Sequence, residues 1–171
     1  MYDMTRVMAN GYFDEGTSPE ELKAYRQKAR AQIAAERTID YKNGTYAMAG
    51  SVPAKVTPDM PQFVKDYSNF YETKLGYHER SYGSTSGATV TSAATFMNMP
   101  ILSYADEIET PVLMIHGEKA LSRYFSEDAF KKLKGDNKEL YIVPNAVHTN
   151  LYYKMDVIPF DKIETFFEKN L

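Results

Sequence analysis

The sequence contains no cysteine, which excludes disulfide bonds, thiolate metal sites and a cysteine nucleophile within these residues. It contains no basic run longer than two residues, and its net charge is −3, so nucleic acid is not the expected partner. No apolar stretch approaches the roughly 20 residues that span a bilayer, and the first residues lack a signal-peptide pattern. We therefore expect no membrane segment and a cytoplasmic location.

What is present describes a soluble globular chain. Hydrophobic residues make up 43% of the 171 residues and charged residues 25%, a balance that favours one folded domain over disorder. The three aromatic residue types are unevenly represented, with 14 Tyr and 9 Phe but no Trp. Much of the tyrosine lies in the middle of the chain.

Two short apolar segments in the C-terminal part organise the rest. Residues 110–118 and 139–148 each contain a run rich in Val, Ile and Leu that stops at a turn-forming residue. Such runs are typical of strands buried on both faces of a parallel sheet. One helical segment separates them, so the order predicts a right-handed strand–helix–strand crossover. Functional residues should follow the carboxyl ends of these strands, where Glu118 and His148 fall.

Local patterns predict the remaining elements. Ser18-Pro19-Glu20-Glu21 predicts the start of a helix that ends near Arg37, and Asn43-Gly44 predicts a small hairpin. Residues 1–16 are predicted to be irregular because of their turn signals. Further helices are predicted over 62–75, 93–99, 126–133 with Ser126 as N-cap, and 159–169, and strands over 112–116 and 139–143.

The C-terminal segments together resemble a known superfamily. Pro-Val-Leu-Met-Ile-His-Gly-Glu-Lys at 111–119, a helix, Leu-Tyr-Ile-Val-Pro-Asn-Ala-Val-His at 140–148 and a final amphipathic helix resemble the last third of an α/β hydrolase. Within that superfamily the chain is most similar to the dienelactone-hydrolase-like bacterial proteins. The resemblance implies an α/β class and a partial α/β-hydrolase fold, containing the last strands and helices of the parallel sheet. It makes residues 1–100 a mostly helical cap segment and residues 101–171 the C-terminal part of the core.

The resemblance also implies a chemistry and makes His148 the histidine of a catalytic triad. Serine hydrolysis needs a nucleophile, a histidine that takes its proton and a carboxylate that orients the histidine. The superfamily carries the nucleophile in Gly-x-Ser-x-Gly, and this sequence contains no such motif. We therefore expect a fragment of a serine-type hydrolase that acts on an ester, lactone or related acyl bond and is inactive alone.

The resemblance leaves the triad acid open. Much of the superfamily has an aspartate two residues beyond the position of Glu118, and here that position is Ala120. Two carboxylates remain as candidates, Glu118 itself and Asp3, which follows the position of the sixth strand. Each also has a structural interpretation, Glu118 as a solvated turn residue and Asp3 as a helix N-cap.

The other histidines give weaker signals. His116 alternates with the buried residues of its strand, which indicates a structural role, and His78 lies in a polar loop where a surface position is expected. His116 and Glu118 lack a third ligand at a supporting spacing, so we predict no metal site. We also predict no cofactor.

A second interpretation belongs to another functional class. A non-catalytic half-domain would use its tyrosine-rich segment to hold an apolar ligand, or its exposed sheet edge to recruit a partner by strand addition. Under the first interpretation the partner is a small-molecule acyl substrate in the complete enzyme. Under both, the exposed apolar edge predicts self-association or binding of a complementing N-terminal half.

Overall fold

The computed structural model describes residues 3–12, 14–81 and 87–171. These residues form a mixture of helices and one two-stranded parallel sheet, which agrees with the α/β class at a coarse level. The elements in chain order are α1 (Met4–Asn10), α2 (Pro19–Asn43), α3 (Gln62–Tyr71), α4 (Ser92–Met97), a 3₁₀ turn (Ala105–Glu107), β1 (Val112–Gly117), α5 (Arg123–Lys132), β2 (Lys138–Val143), α6 (Asn150–Tyr153) and α7 (Phe160–Asn170).

The described residues fall into two compact units. We call residues 3–52 and 79–101 the helical unit, and residues 53–78 and 102–171 the sheet unit. Residues 53–78, which the resemblance assigned to the cap, thus belong to the same unit as the strands. Within the described ranges no helix is both long and apolar enough to cross a bilayer.

The sheet unit contains the predicted strand–helix–strand crossover. β1 and β2 pair in parallel, with a register that runs from Val112 opposite Lys138 to Gly117 opposite Val143. Both predicted strands are confirmed to within one residue at each end. Their short length, their Val and Ile content and the turn-forming residues that follow them favour strands over helices. The core beside β1 consists of Leu102, Ala105 and Ala129, with Ile108, Met114 and Leu133 packed against them. Lys162 of α7 forms an ion pair with Glu139 of β2.

The helical unit is built around α2, whose start is confirmed and whose end is not. The Ser18 hydroxyl accepts from the Glu21 amide while the Glu21 carboxylate accepts from the Ser18 amide, which is a complete capping box. The helix continues past Arg37 to Asn43. Gly44, at φ 64°, donates its amide to the Asp40 carbonyl as a left-handed C-cap. The predicted hairpin at Asn43-Gly44 was therefore wrong, because this dipeptide ends a helix.

The N-terminal segment also differs from its prediction. Residues 4–10 form α1 where an irregular segment was predicted, and Asp3 is the N-cap, accepting from the Thr5 amide at 2.9 Å. Gly11, at φ 84°, ends the helix with its amide on the Val7 carbonyl at 2.8 Å. Asn10-Gly11 does break the regular structure, as a turn signal should, but it does so at the end of a helix of two turns. α1 packs on α4 and α2.

Three further helix boundaries were predicted imprecisely. α3 ends at Tyr71, and Leu75, predicted to be on the buried face, is 46% exposed. The helix predicted over 93–99 is α4, which ends at Met97. α5 starts at Arg123 with Ser122 at the N-cap position, so Ser126 is not the cap and lies inside the helix. The final helix is confirmed with a shift of one residue.

β1 ends at a glycine because another segment of backbone lies against it. A Cβ placed on Gly117 would overlap the Ala146 carbonyl oxygen and lie 2.8 Å from the carbonyl carbon. Two backbone hydrogen bonds hold this contact. Glu118 N donates to Val143 O at 3.0 Å, and Lys119 N donates to Ala146 O at 2.9 Å. The segment that follows β2 is thereby held against the end of β1.

We predict that Gly117→Ala destabilises the sheet unit by about 1–3 kcal/mol, because the obstacle is main chain and cannot rotate away. Urea unfolding of the variant and the parent chain measures this difference. The amide resonances of residues 145–148 should shift as the segment moves. An unfolding free energy equal to that of the parent would contradict the close approach described here.

Candidate functional site

The carboxyl ends of the two strands bring the predicted site residues into one region. His116 is the penultimate residue of β1, and Glu118 follows that strand directly. His148 lies five residues after the end of β2, beyond a turn in which Asn145 has φ 58°. The Glu118 carboxylate accepts from the Asn145 amide at 2.8 Å and so helps to hold this turn.

His116 is a buried imidazole with both ring nitrogens hydrogen-bonded. The residue is 8% exposed. Nδ1 lies 2.7 Å from Ser126 Oγ, and Nε2 lies 2.9 Å from Ser122 Oγ. The two serines stand four residues apart at the start of α5, so they face the same side of the helix. The predicted structural role of His116 agrees with this environment.

His148 extends the same set of contacts toward the surface. Its Nδ1 lies 2.7 Å from Ser122 Oγ, and its Nε2 is hydrogen-bonded to Tyr152 Oη of α6. The ring also stands edge-on to Tyr67 of α3, with centroids 5.4 Å apart, and to His116 at 5.5 Å. Ser126, His116, Ser122, His148 and Tyr152 thus form a continuous chain of hydrogen bonds, which we call the hydroxyl–imidazole network.

Burial keeps both histidines of the network neutral near neutral pH. Desolvation, with a smaller contribution from the neighbouring His148, lowers the pKa of His116 from 6.5 to about 4. Desolvation also lowers the pKa of His148. A neutral imidazole carries one N–H and one lone pair, so each ring can both donate and accept within the network. His148 is therefore available as a base.

A mostly apolar cavity of about 560 Å³ opens beside the network. Its wall includes the core residues Leu102 and Ala129, the whole apolar run of β1, and the polar side chains of His116, Ser126, His148 and Tyr152. This size lies within the range of about 300–1,000 Å³ that is usual for small-molecule sites. An apolar wall with a few convergent polar groups is the arrangement expected of a ligand pocket.

The two candidate acids, Glu118 and Asp3, each accept a hydrogen bond from a backbone amide. Glu118 bonds the Asn145 amide, and Asp3 caps α1 in the helical unit. Ala120, which the resemblance alone placed at an acid position, is 7% exposed. The side chain hydrogen-bonded to His148 Nδ1 is Ser122, a neutral hydroxyl.

Two further predictions concern histidine and metal. His78 is exposed, as predicted for a loop position. In the part of the chain that the structure describes, no group of three or more His, Cys, Asp or Glu side chains is arranged to hold a metal ion.

Sequence reasoning missed three members of the network. Ser126 was predicted to be the N-cap of the helix over 126–133, and Ser122 and Tyr152 were not predicted to belong to a site. A usable signal existed in the spacing, because serines at i and i+4 on the helix after β1 face the strand that carries His116. Tyr152, four residues after His148, gave the same kind of signal.

Comparison with known proteins finds one uncharacterized relative. No family model matches the chain. It is 44% identical over 172 residues to the uncharacterized protein PA2218 of Pseudomonas aeruginosa, an alignment that covers 100% of this chain and 44% of that protein. A crystal structure of hypothetical protein PA2218 from the same organism matches with a TM-score of 0.86 at 43% identity, covering 51% of that chain. The chain therefore shares the fold of the matched part and spans about half the length of the protein it matches.

We predict that acid destabilises the fold through His116. The unfolded chain binds a proton near pH 6.5 and the folded chain only near pH 4, so the unfolded state holds more protons between these values. The free energy of unfolding should fall as pH drops through this window, by up to about 1.4 kcal/mol per pH unit. His148, whose pKa is also lowered, adds to the loss.

Urea unfolding across this window, combined with NMR titration of the histidine side chains, measures the effect. His116→Gln removes this titrating group and should weaken the pH dependence, leaving the contribution of His148. A His116 resonance that titrates near 6.5 in the folded chain would contradict the burial argument.

Proposed function

We propose that this chain carries the general-base histidine, His148, of an α/β-fold serine-type hydrolase that acts on an ester, lactone or related acyl bond. The nucleophile and the rest of the parallel sheet would belong to a longer protein, called the complete protein below. The chain alone would be inactive. A mostly helical cap, as in the dienelactone-hydrolase-like proteins, is part of the same proposal.

The observation that carries the proposal is the position of His148. It follows the carboxyl end of β2, next to the end of a parallel neighbour, where ligands bind in open α/β sheets. Its Nδ1 is anchored from inside the sheet unit by Ser122, and its Nε2 is bonded to Tyr152 on the wall of the cavity. An anchored Nδ1 and an outward Nε2 form the arrangement that a triad histidine needs.

The proposed chemistry is acyl transfer in two steps. His148 Nε2 would take the proton of the serine hydroxyl as the serine oxygen bonds to the acyl carbon, and would give it to the leaving alkoxide as the ester bond breaks. Water would then replace the alcohol and release the acid by the same proton path. Tyr152 occupies Nε2 in the structure and would have to turn aside when the nucleophile approaches.

The cavity supports the substrate class. Its lining from Leu102 to Leu151 is largely aliphatic, so it suits an apolar acyl or lactone ring rather than a charged group. The lowered pKa of His148 supports its role as a base at neutral pH. Glu118 and Asp3 stay predictions for the triad acid, each with a structural hydrogen bond already described.

One observation favours a second candidate. The residues that line the cavity all belong to the sheet unit and are mostly aliphatic, a wall that suits an apolar ligand whether or not His148 acts as a base. A non-catalytic ligand-binding half-domain would use the same wall. It would bind equally well without His148 acting as a base.

We predict that His148→Gln lowers kcat/KM of the complete protein for p-nitrophenyl esters by about 10⁴-fold or more, because the serine loses the group that removes its proton. Esters of increasing acyl length should identify the best substrate first. His78→Gln is the matched control, since it changes an exposed histidine of the same unit. It should leave the rate within about twofold.

Two results would contradict the proposal or favour its rival. A His148→Gln enzyme within about tenfold of the parent would remove His148 from the mechanism. No hydrolysis of any ester, together with binding of an apolar probe that His148→Gln leaves unchanged, would favour the ligand-binding half-domain.

A further inference from the structure

On the inner side of His148, the network consists of three buried side chains that are hydrogen-bonded in series. Ser122, His116 and Ser126 are 3%, 8% and 3% exposed, and they join end to end with separations of 2.9 and 2.7 Å. Their outer end is the 2.7 Å contact between Ser122 Oγ and His148 Nδ1. This is the atom that the carboxylate of a Ser-His-Asp triad would bond.

We propose that Ser122, His116 and Ser126 form a positioning relay that keeps the side-chain proton of His148 on Nδ1, leaving Nε2 as a lone pair. The relay replaces the orienting function of a triad carboxylate with a neutral chain of hydroxyl, imidazole and hydroxyl. Its use in catalysis rests on the proposed function. Its effect on the His148 tautomer does not.

Counting donors and acceptors leaves two possible directions for the network. In the first, Tyr152 donates to His148 Nε2, His148 Nδ1–H donates to Ser122, Ser122 donates to His116 Nε2, and His116 Nδ1–H donates to Ser126. The second reverses every bond and places the His148 proton on Nε2. Each ring and each central hydroxyl is satisfied in both directions, so the two ends decide.

The chemistry of the two ends favours the first direction. A phenol, with a pKa near 10, is a better donor and a poorer acceptor than an alkyl alcohol. Tyr152 therefore suits the donating end, and Ser126 suits the accepting end. Ser126 also lines the cavity, where its own proton has space to meet a water molecule.

The neutrality of His116 completes the relay. Desolvation holds its pKa at about 4, so at neutral pH it presents one N–H and one lone pair, as the relay requires. A charged imidazolium would donate from both nitrogens. It would then leave Ser122 with no acceptor on this side.

The test is histidine NMR on the intact chain of 171 residues, labelled with ¹⁵N in its three histidines. Long-range proton–nitrogen correlations show which ring nitrogen carries the proton, and exposed His78 is the internal reference. We expect His148 to be mainly the Nδ1–H tautomer. Ser122→Ala should lower its tautomer ratio, because Nδ1–H loses both its acceptor and its link to His116 and Ser126. Ser122→Thr keeps the hydroxyl and should restore the ratio.

Ser126→Ala separates a relay from simple packing. This variant removes a hydroxyl that is hydrogen-bonded to His116 at the far end of the network, so only a relay moves the His148 tautomer. Ser68→Ala is the matched control, because Ser68 is also buried in the sheet unit and bonds the Pro53 carbonyl at 2.7 Å. It should lower stability and leave the tautomer unchanged.

The outcomes distinguish the relay from the proposed function. A parent His148 in the Nε2–H tautomer, or a ratio unchanged in both Ser122→Ala and Ser126→Ala, overturns the relay. If Ser122→Ala does not fold, Ser126→Ala alone decides. If the tautomer measurements support the relay but His148→Gln leaves the activity of the complete protein unchanged, the relay stands and the hydrolase proposal is rejected.

Discussion

The parallel pairing of β1 with β2 is the constraint on which the rest of the site depends. It places the end of each strand at the same edge, with Gly117 opposite Val143. The absence of a side chain at Gly117 then lets the segment after β2 lie directly on the end of β1. As a result, the ring centroids of His116 and His148 lie 5.5 Å apart, although His116 belongs to β1 and His148 follows β2.

Burying two imidazoles in this way is stable only because their polar atoms are satisfied. An unpartnered buried polar group costs about 1–3 kcal/mol, and His116 avoids that cost with one serine on each ring nitrogen. The crossover helix α5 supplies both serines from one face. The helix that completes the strand–helix–strand unit is thus also the element that orients His148 through Ser122.

Sequence reasoning succeeded where one physical signal dominated. The apolar runs of β1 and β2, the capping box at Ser18 and the amphipathic pattern of α7 each predicted an element that the structure contains. It failed where one signal had two meanings. Asn43-Gly44 suits a hairpin turn and a left-handed C-cap equally well, and only the residues before it, which continue α2, decide between them.

The site shows the same division. The position of His148 followed from the order of strands, because the end of a parallel strand is defined by the strand itself. The partners of His148 did not follow, because they depend on tertiary contacts between α5, α6 and the strand ends. Ser126 has the sequence context of an N-cap, yet its hydroxyl lies 2.7 Å from a buried imidazole. The hydrogen bond to the buried His116 ring therefore outweighs the local preference of Ser126 for an N-cap position.

The measurement that tests the central claim most directly is labelling of the complete protein with a fluorophosphonate, followed by mass spectrometry of its peptides. A serine hydrolase is labelled at the serine that its histidine activates. We predict a single labelled serine outside this chain, with the label lost in His148→Gln and retained in His78→Gln. Full labelling of that serine without His148, or labelling of Ser122 or Ser126 instead, would contradict the account.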